Sequence, residues 1–142
     1  MRNRIDLRMI LLDTCALIWI VNNDPVLPSA LSAVQGAIRA GRLYLSSISA
    51  WEIGMLASRG RLKLEIRAEL YVSQAFSRAG VQIAVLTPEI AVRSCSLPGS
   101  PPIDPADRLL IATAMEMGLK LMTRDRRILD YGAQGHLPVL AC

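Results

Sequence analysis

A chain of 142 residues with 52% apolar and 20% charged side chains has the length of one domain and the material for a real core, which argues against disorder. Sixteen Lys and Arg against twelve Asp and Glu leave a formal charge of +4, which permits a polyanionic partner without requiring one. A single histidine, His136, argues against a His-based zinc site or triad, and 4% aromatics argue against a reader of single strands built on stacked rings.

In chain order, Arg2, Arg4 and Arg8 give a basic start like that of a signal peptide, but Asp13 interrupts the apolar run from Met9 to Val21 and no small-residue cleavage site follows. That run of thirteen residues is also too short to span a bilayer, so the expectation is a cytoplasmic chain without a membrane partner. Residues 1–8 read as an extension before the first strand or as an upstream start with Met9 the alternative initiator. Cys15, Cys95 and Cys142 are odd in number and widely spaced; they read as small buried hydrophobes in a reducing compartment.

Met9 to Leu12 is a continuous apolar run suited to a strand buried on both faces, closed by Asp13. Ala16 to Val21 reads as a helix, and Leu31, Val34 and Ile38 mark the apolar face of a second. Leu43 to Leu45 predicts a strand; Ser49 opens a helix to Gly60, with Ser49 and Glu52 spaced as a capping box. Glu65 to Ala79 is helical in pattern, Val81 to Leu86 a strand, and Thr87-Pro88-Glu89 a helix start. Leu97 to Pro105 must be a loop and Asp107 to Met117 a helix, while Asp104-Pro105-Ala106-Asp107 also fits a cap, a proline at the first helical position and an acid in the first turn. Leu119 to Met122, Asp125 to Tyr131 and Pro138 to Leu140 complete the chain as strand, helix and strand. No linker divides the sequence, so residues 1–142 read as one α/β domain whose central parallel sheet lies between helices.

In such a sheet, ligands gather beyond the carboxyl ends of the strands, and four acids fall there: Asp13, Glu52, Asp107 and Asp125, with Asp104 a fifth. Each has a structural explanation as a cap or turn residue, least so Asp13, since a charge ending an apolar strand must be paired or bound. Four carboxylates brought together would repel unless a cation joined them, and hard oxygen donors select Mg²⁺ or Mn²⁺. With no histidine to serve as base, a metal is the natural source of hydroxide at neutral pH, which suits phosphodiester hydrolysis.

Four segments then carry a resemblance: Leu11-Leu12-Asp13-Thr14, Ser46 to Ile53, Asp104 to Ala114, and Leu121 to Asp125. In order and spacing they resemble the PIN-domain ribonucleases, and within these the VapC-type toxins of toxin–antitoxin pairs. The resemblance implies a PIN-like α/β/α sandwich and an endonuclease that uses Mg²⁺ or Mn²⁺ on single-stranded or loop RNA. It implies Asp13 and Asp107 as direct metal ligands, Asp125 as a ligand reached partly through water, and Glu52 as the group orienting the attacking water or holding a second ion. Thr14 and Thr123 become supporting hydroxyls. It further implies a protein antitoxin that inserts a basic side chain among the acids, and a homodimer formed through helices. The chain departs from the pattern at Leu56, where many relatives carry Lys, and at Pro101-Pro102, near which many place a His. Arg108, Arg124, Arg126 and Arg127 flank the acids and are candidates for phosphate contacts, with a solvated face the competing reading. Trp19 and Trp51 read as core rather than as base-stacking platforms.

Two rival readings remain at this level: a catalytically inactive PIN module used for binding, and another Mg²⁺-dependent α/β enzyme. Against the second, Cys15 occupies the position where haloacid-dehalogenase-like phosphatases need a second Asp, receiver domains need an acidic pair that is absent, and no GxxxxGK[ST] occurs. With the four acids set aside, eight remain against sixteen bases, a basic rim that suits RNA.

Overall fold

The computed structural model describes residues 9–142; the basic stretch at residues 1–8 lies outside the described residues. Five short strands form one parallel sheet in the order β3-β2-β1-β4-β5. They are β1 (Ile10–Leu12), β2 (Leu43–Ser46), β3 (Val81–Ala84), β4 (Lys120–Thr123) and β5 (Val139–Ala141). Seven helices connect them: α1 (Thr14–Val21), α2 (Pro28–Arg39), α3 (Ser47–Ser58), α4 (Ala68–Phe76), α5 (Pro88–Arg93), α6 (Pro105–Met117) and α7 (Arg126–Ala133). Among the described residues, no helix is long and apolar enough to cross a membrane.

Alternation along β1 divides the core. Ile10 and Leu12 face a cluster with Leu17 of α1, Val34 of α2, Ile53 of α3 and Tyr71 of α4. Leu11 faces the other way, onto Ile90 of α5, Leu110 and Ile111 of α6, and Ile128 of α7. All three β1 residues are buried, as the continuous apolar run requires of a central parallel strand. The result is the expected α/β/α sandwich. The chain builds outward from β1 through β2 to β3, then crosses back to lay β4 on the other side of β1. Parallel sheets open a crevice at this kind of reversal, beyond the strands' carboxyl ends.

Several local expectations are corrected. The α3 helix begins at Ser47, capped by the Ser46 hydroxyl on the Ile48 N–H (3.1 Å), so Ser49 and Glu52 are not a capping box. Ser49 is instead buried in the first turn, which frees Glu52 for another partner. The helix expected from Glu65 begins only at Ala68, because Leu62 and Leu64 pack on the core from an irregular segment. The edge strand β3 stops at Ala84; Ile83 and Val85 are exposed, and the Leu86 N–H goes to the Ser47 hydroxyl instead of to a ladder. On α2 the buried face is Ala30, Val34 and Ala37, whereas Leu31 is exposed, since small side chains let the helix lie close to the sheet. Trp19 is half-buried against the core, but Trp51 is 56% exposed. Of the cysteines, all free, only Cys142 is buried.

Candidate active site

Asp13 follows β1 and is 6% exposed. Its N–H continues the sheet to the Met122 carbonyl (3.0 Å), and its Oδ1 caps α1 by accepting from the Ala16 N–H (2.8 Å). The second oxygen, Oδ2, accepts from the Thr123 hydroxyl at 2.5 Å, and the Thr123 oxygen in turn accepts from the Asp125 N–H at 3.0 Å. One hydroxyl at the end of β4 thus ties two acids together across the β1–β4 seam. Burial raises the Asp13 carboxyl above its usual range, while the Thr123 and Ala16 bonds resist the rise.

Glu52 sits in the second turn of α3, with Oε1 accepting from the Thr14 hydroxyl at 2.5 Å. Thr14 Oγ1 also lies 2.9 Å from Ser49 Oγ. A hydroxyl has one proton to give, so if Thr14 donates to Glu52, Ser49 must donate to Thr14. Burial raises Glu52 too, opposed by the Thr14 bond.

Asp107 stands in the first turn of α6, whose cap is Asp104: its Oδ1 accepts from the Asp107 N–H at 3.0 Å. Burial, then the charges of Asp104, Asp125 and Glu52, push the Asp107 carboxyl up to about 7. Asp125 behaves in the opposite way. Burial pushes it up, but the side-chain and backbone N–H groups of Arg127 outweigh that and hold it below the ordinary value. Cys15, exposed but partly desolvated beside these acids, is pushed up to about 11 by that desolvation and by Asp13, Glu52, Asp107 and Asp125.

Asp13, Glu52, Asp107 and Asp125 line one cavity of about 280 Å³, walled also by Thr14, Cys15, Trp19, Leu110 and Arg124. Asp104 lies outside it, on a neighbouring apolar groove of about 550 Å³ that Trp51, Met55, Leu86 and Leu109 line and that Glu52 borders from the other side. The candidate arginines are differently placed. Arg124 edges the cavity with its guanidinium stacked 3.9 Å over Trp19 and bonded to the carbonyls of Cys142 (3.2 Å) and Pro25 (3.1 Å). Arg108 is turned to the carbonyls of Pro102 (2.7 Å) and Ser94 (3.5 Å), and Arg126 pairs with Asp130 at 3.4 Å on the surface. Ser49 and the exposed Trp51 escape a reading of the sequence. The serine matches a cap in spacing, and the tryptophan matches a core position in its apolar neighbours.

The PIN domain profile matches residues 10–134. This chain belongs to the PIN-domain family. Within it the chain is of the VapC type: Ribonuclease VapC22 of Mycobacterium tuberculosis (strain ATCC 25618 / H37Rv) is 37% identical over 99 residues, 70% of this chain and 75% of that protein. Solved structures share the fold of this PIN domain. VapBC2 from Rickettsia felis, bound to a DNA fragment from its promoter, superposes with a TM-score of 0.70 at 16% identity, covering 93% of this chain and 97% of that one. DNA-bound VapBC from Salmonella typhimurium gives 0.67 at 19% identity, with 93% and 96% covered.

Proposed function

We propose that this PIN domain is an endoribonuclease that hydrolyses phosphodiester bonds in single-stranded or loop RNA with Mg²⁺ or Mn²⁺. The observation that carries the reading is the convergence of four carboxylates from four separate segments on one cavity. Their oxygens are hard donors, and burial with the neighbouring acids holds Asp107 at about 7 although Arg127 opposes the rise, an environment that a divalent cation would relieve. Among the described residues, no three His, Cys, Asp or Glu side chains are placed to hold a metal ion as they stand, so cation binding requires the acids to draw closer together. Asp13 and Asp107 are assigned as direct ligands, and Asp125 as a ligand reached partly through water. A bound cation would supply a more acidic water and offset charge developing on the phosphate.

The chain's own residues supply orientation. Thr123 fixes the Asp13 carboxylate and the Asp125 backbone together. The Ser49–Thr14 chain holds Glu52 Oε1, which leaves Oε2 to take a proton from the attacking water. Arg124, held by Trp19 and by two carbonyls, adds a fixed positive charge at the cavity edge that favours an approaching phosphate. The test is cleavage of single-stranded RNA with Mg²⁺ or Mn²⁺, with EDTA and Asp13→Asn as controls. Loss in both controls is expected; undiminished cleavage by Asp13→Asn, or indifference to EDTA, overturns the reading in favour of a binding module without catalysis or of a contaminating nuclease.

The same proposal makes the chain the cytoplasmic toxin of a toxin–antitoxin pair, supported by its likeness to VapC22 and by the VapBC complexes that share its fold. Expression should arrest growth, and a small protein encoded beside it should relieve the arrest. The chain is further proposed to form a homodimer in which a second copy covers the groove at Trp51, an apolar surface continuous with the acidic cavity through Glu52.

A further inference from the structure

Asp125 is the acid of the cavity whose two oxygens are both engaged by a guanidinium. Arg127 reaches Oδ1 through Nε (3.4 Å) and Oδ2 through Nη2 (3.1 Å), while its backbone N–H caps Oδ1 at 2.8 Å. Asp125 lines the acidic cavity, whereas Arg127 stands outside it, on a neighbouring surface pocket with Pro101 and Pro102; the Arg127 side chain is 67% exposed and that of Asp125 29%. Asp107 and Asp104 also feel the Arg127 charge. The other candidate arginines are committed elsewhere: Arg124 to Trp19 and two carbonyls, Arg108 to two carbonyls, Arg126 to Asp130.

We propose that Arg127 is the exchangeable counter-charge of this site: it holds Asp125 when no divalent cation is present, and passes to a phosphate oxygen of the RNA when a cation engages Asp125. The inference rests on the cation-dependent reading above. With both oxygens already engaged by Arg127, a dication must compete with the guanidinium for the same lone pairs and repels it, so cation binding loosens the pair. The backbone cap on Oδ1 needs a single lone pair and can persist, so Asp125 stays at the start of α7 while the side chain departs. A released guanidinium beside the acidic cavity is well shaped for a phosphate, which its fork can grip through two N–H groups. Arg127 is therefore a positioning residue for Asp125 and a contact for the substrate, in alternation.

The experiment is a calorimetric titration of Mn²⁺ into the full chain, as wild type, Arg127→Ala and Arg127→Lys, with melting temperatures confirming that each is folded. Arg127→Ala should bind Mn²⁺ about two- to fivefold tighter, the range expected for loss of one exposed competing ion pair, with Arg127→Lys between. A companion measurement follows binding of a single-stranded DNA oligonucleotide, as a phosphate-bearing probe, in Mn²⁺ at several salt concentrations. Arg127→Ala should lower the log–log salt slope by about 0.7, the loss of one phosphate contact. Equal or weaker Mn²⁺ binding by Arg127→Ala, or an unchanged salt slope, overturns the exchange. If the wild type itself takes up no Mn²⁺, the cation-dependent reading falls and the exchange with it.

Discussion

At the scale of single residues, Thr123 is the most economical part of the site, because one oxygen donates to Asp13 and accepts from the Asp125 backbone. Thr123→Val removes both bonds while keeping the shape, and RNA cleavage should fall about 10- to 100-fold, as for partners that orient metal ligands. Thr123→Ser should retain most of the rate. Asp107 supplies a second expectation, read as thermal stability in EDTA. Its carboxyl lies at about 7 in the folded chain against 3.8 for the ordinary side chain, so between those values the folded state holds a proton that the unfolded chain has released. The stability it contributes is full below pH 4 or so and lost as pH rises through about 7; Asp13 and Glu52 act in the same direction. Asp107→Asn should flatten the fall in melting temperature across that window, and an unchanged profile would show that the carboxyl is not raised. The two threonine hydroxyls were legible from their places beside Asp13 and Asp125. Ser49 was not, because a serine three residues before a glutamate fits two geometries, and only the position of the true cap at Ser46 decides between them.

At the scale of elements, glycine marked the helix ends at Gly41, Gly60 and Gly118 to within two residues, but the helix expected to run to Ala79 before Gly80 ends at Phe76. Gly41, Gly60, Gly80 and Gly118 all have positive φ and all follow helices or turns that the sequence ends there. Gly80 differs from Gly41 in its surroundings. A Cβ on Gly80 would meet the Ile38 carbonyl oxygen at 2.3 Å, whereas one on Gly41 would meet nothing within 4 Å. Gly41→Ala should therefore cost about 1 kcal/mol, the strain of a left-handed conformation alone. Gly80→Ala should cost about 3 kcal/mol or more, since backbone must also move where β3 enters the sheet. Urea unfolding of the two variants checks the difference, and equal losses would contradict it. The late start of α4 and early end of β3 had no such marker. Leu62 and Leu64 continue the apolar pattern of a helix but satisfy it from a loop, and an edge strand needs only a few ladder bonds before it can turn away.

At the scale of the whole molecule, the parallel sheet with helices on both faces was legible from alternation of element types and from the apolar run at β1, which tolerates burial on both sides. What sequence could not show is how the surface is used. The groove bearing Trp51 is an apolar surface whose residues come from α3, α6 and the segment after β3, remote in sequence and individually ordinary. If a second copy covers this groove as proposed, light scattering on the full chain should report a dimer, and Trp51→Glu should shift it toward monomer by placing a charge there; a monomeric wild type would refute that assembly.

The bond between Thr123 and Asp13 joins residues 110 positions apart, and β4 reaches β1 only after β2 and β3 have been laid down on its far side. At synthesis rates of about 5–20 residues per second, roughly 5–20 s separate the emergence of the first acid from that of the last. Throughout that interval the growing chain has no assembled cavity, whatever helices have already formed. A truncated or stalled product ending before β4 would lack two sides of the acidic cavity, so the order of the sheet itself delays assembly of the site until β4 has been made.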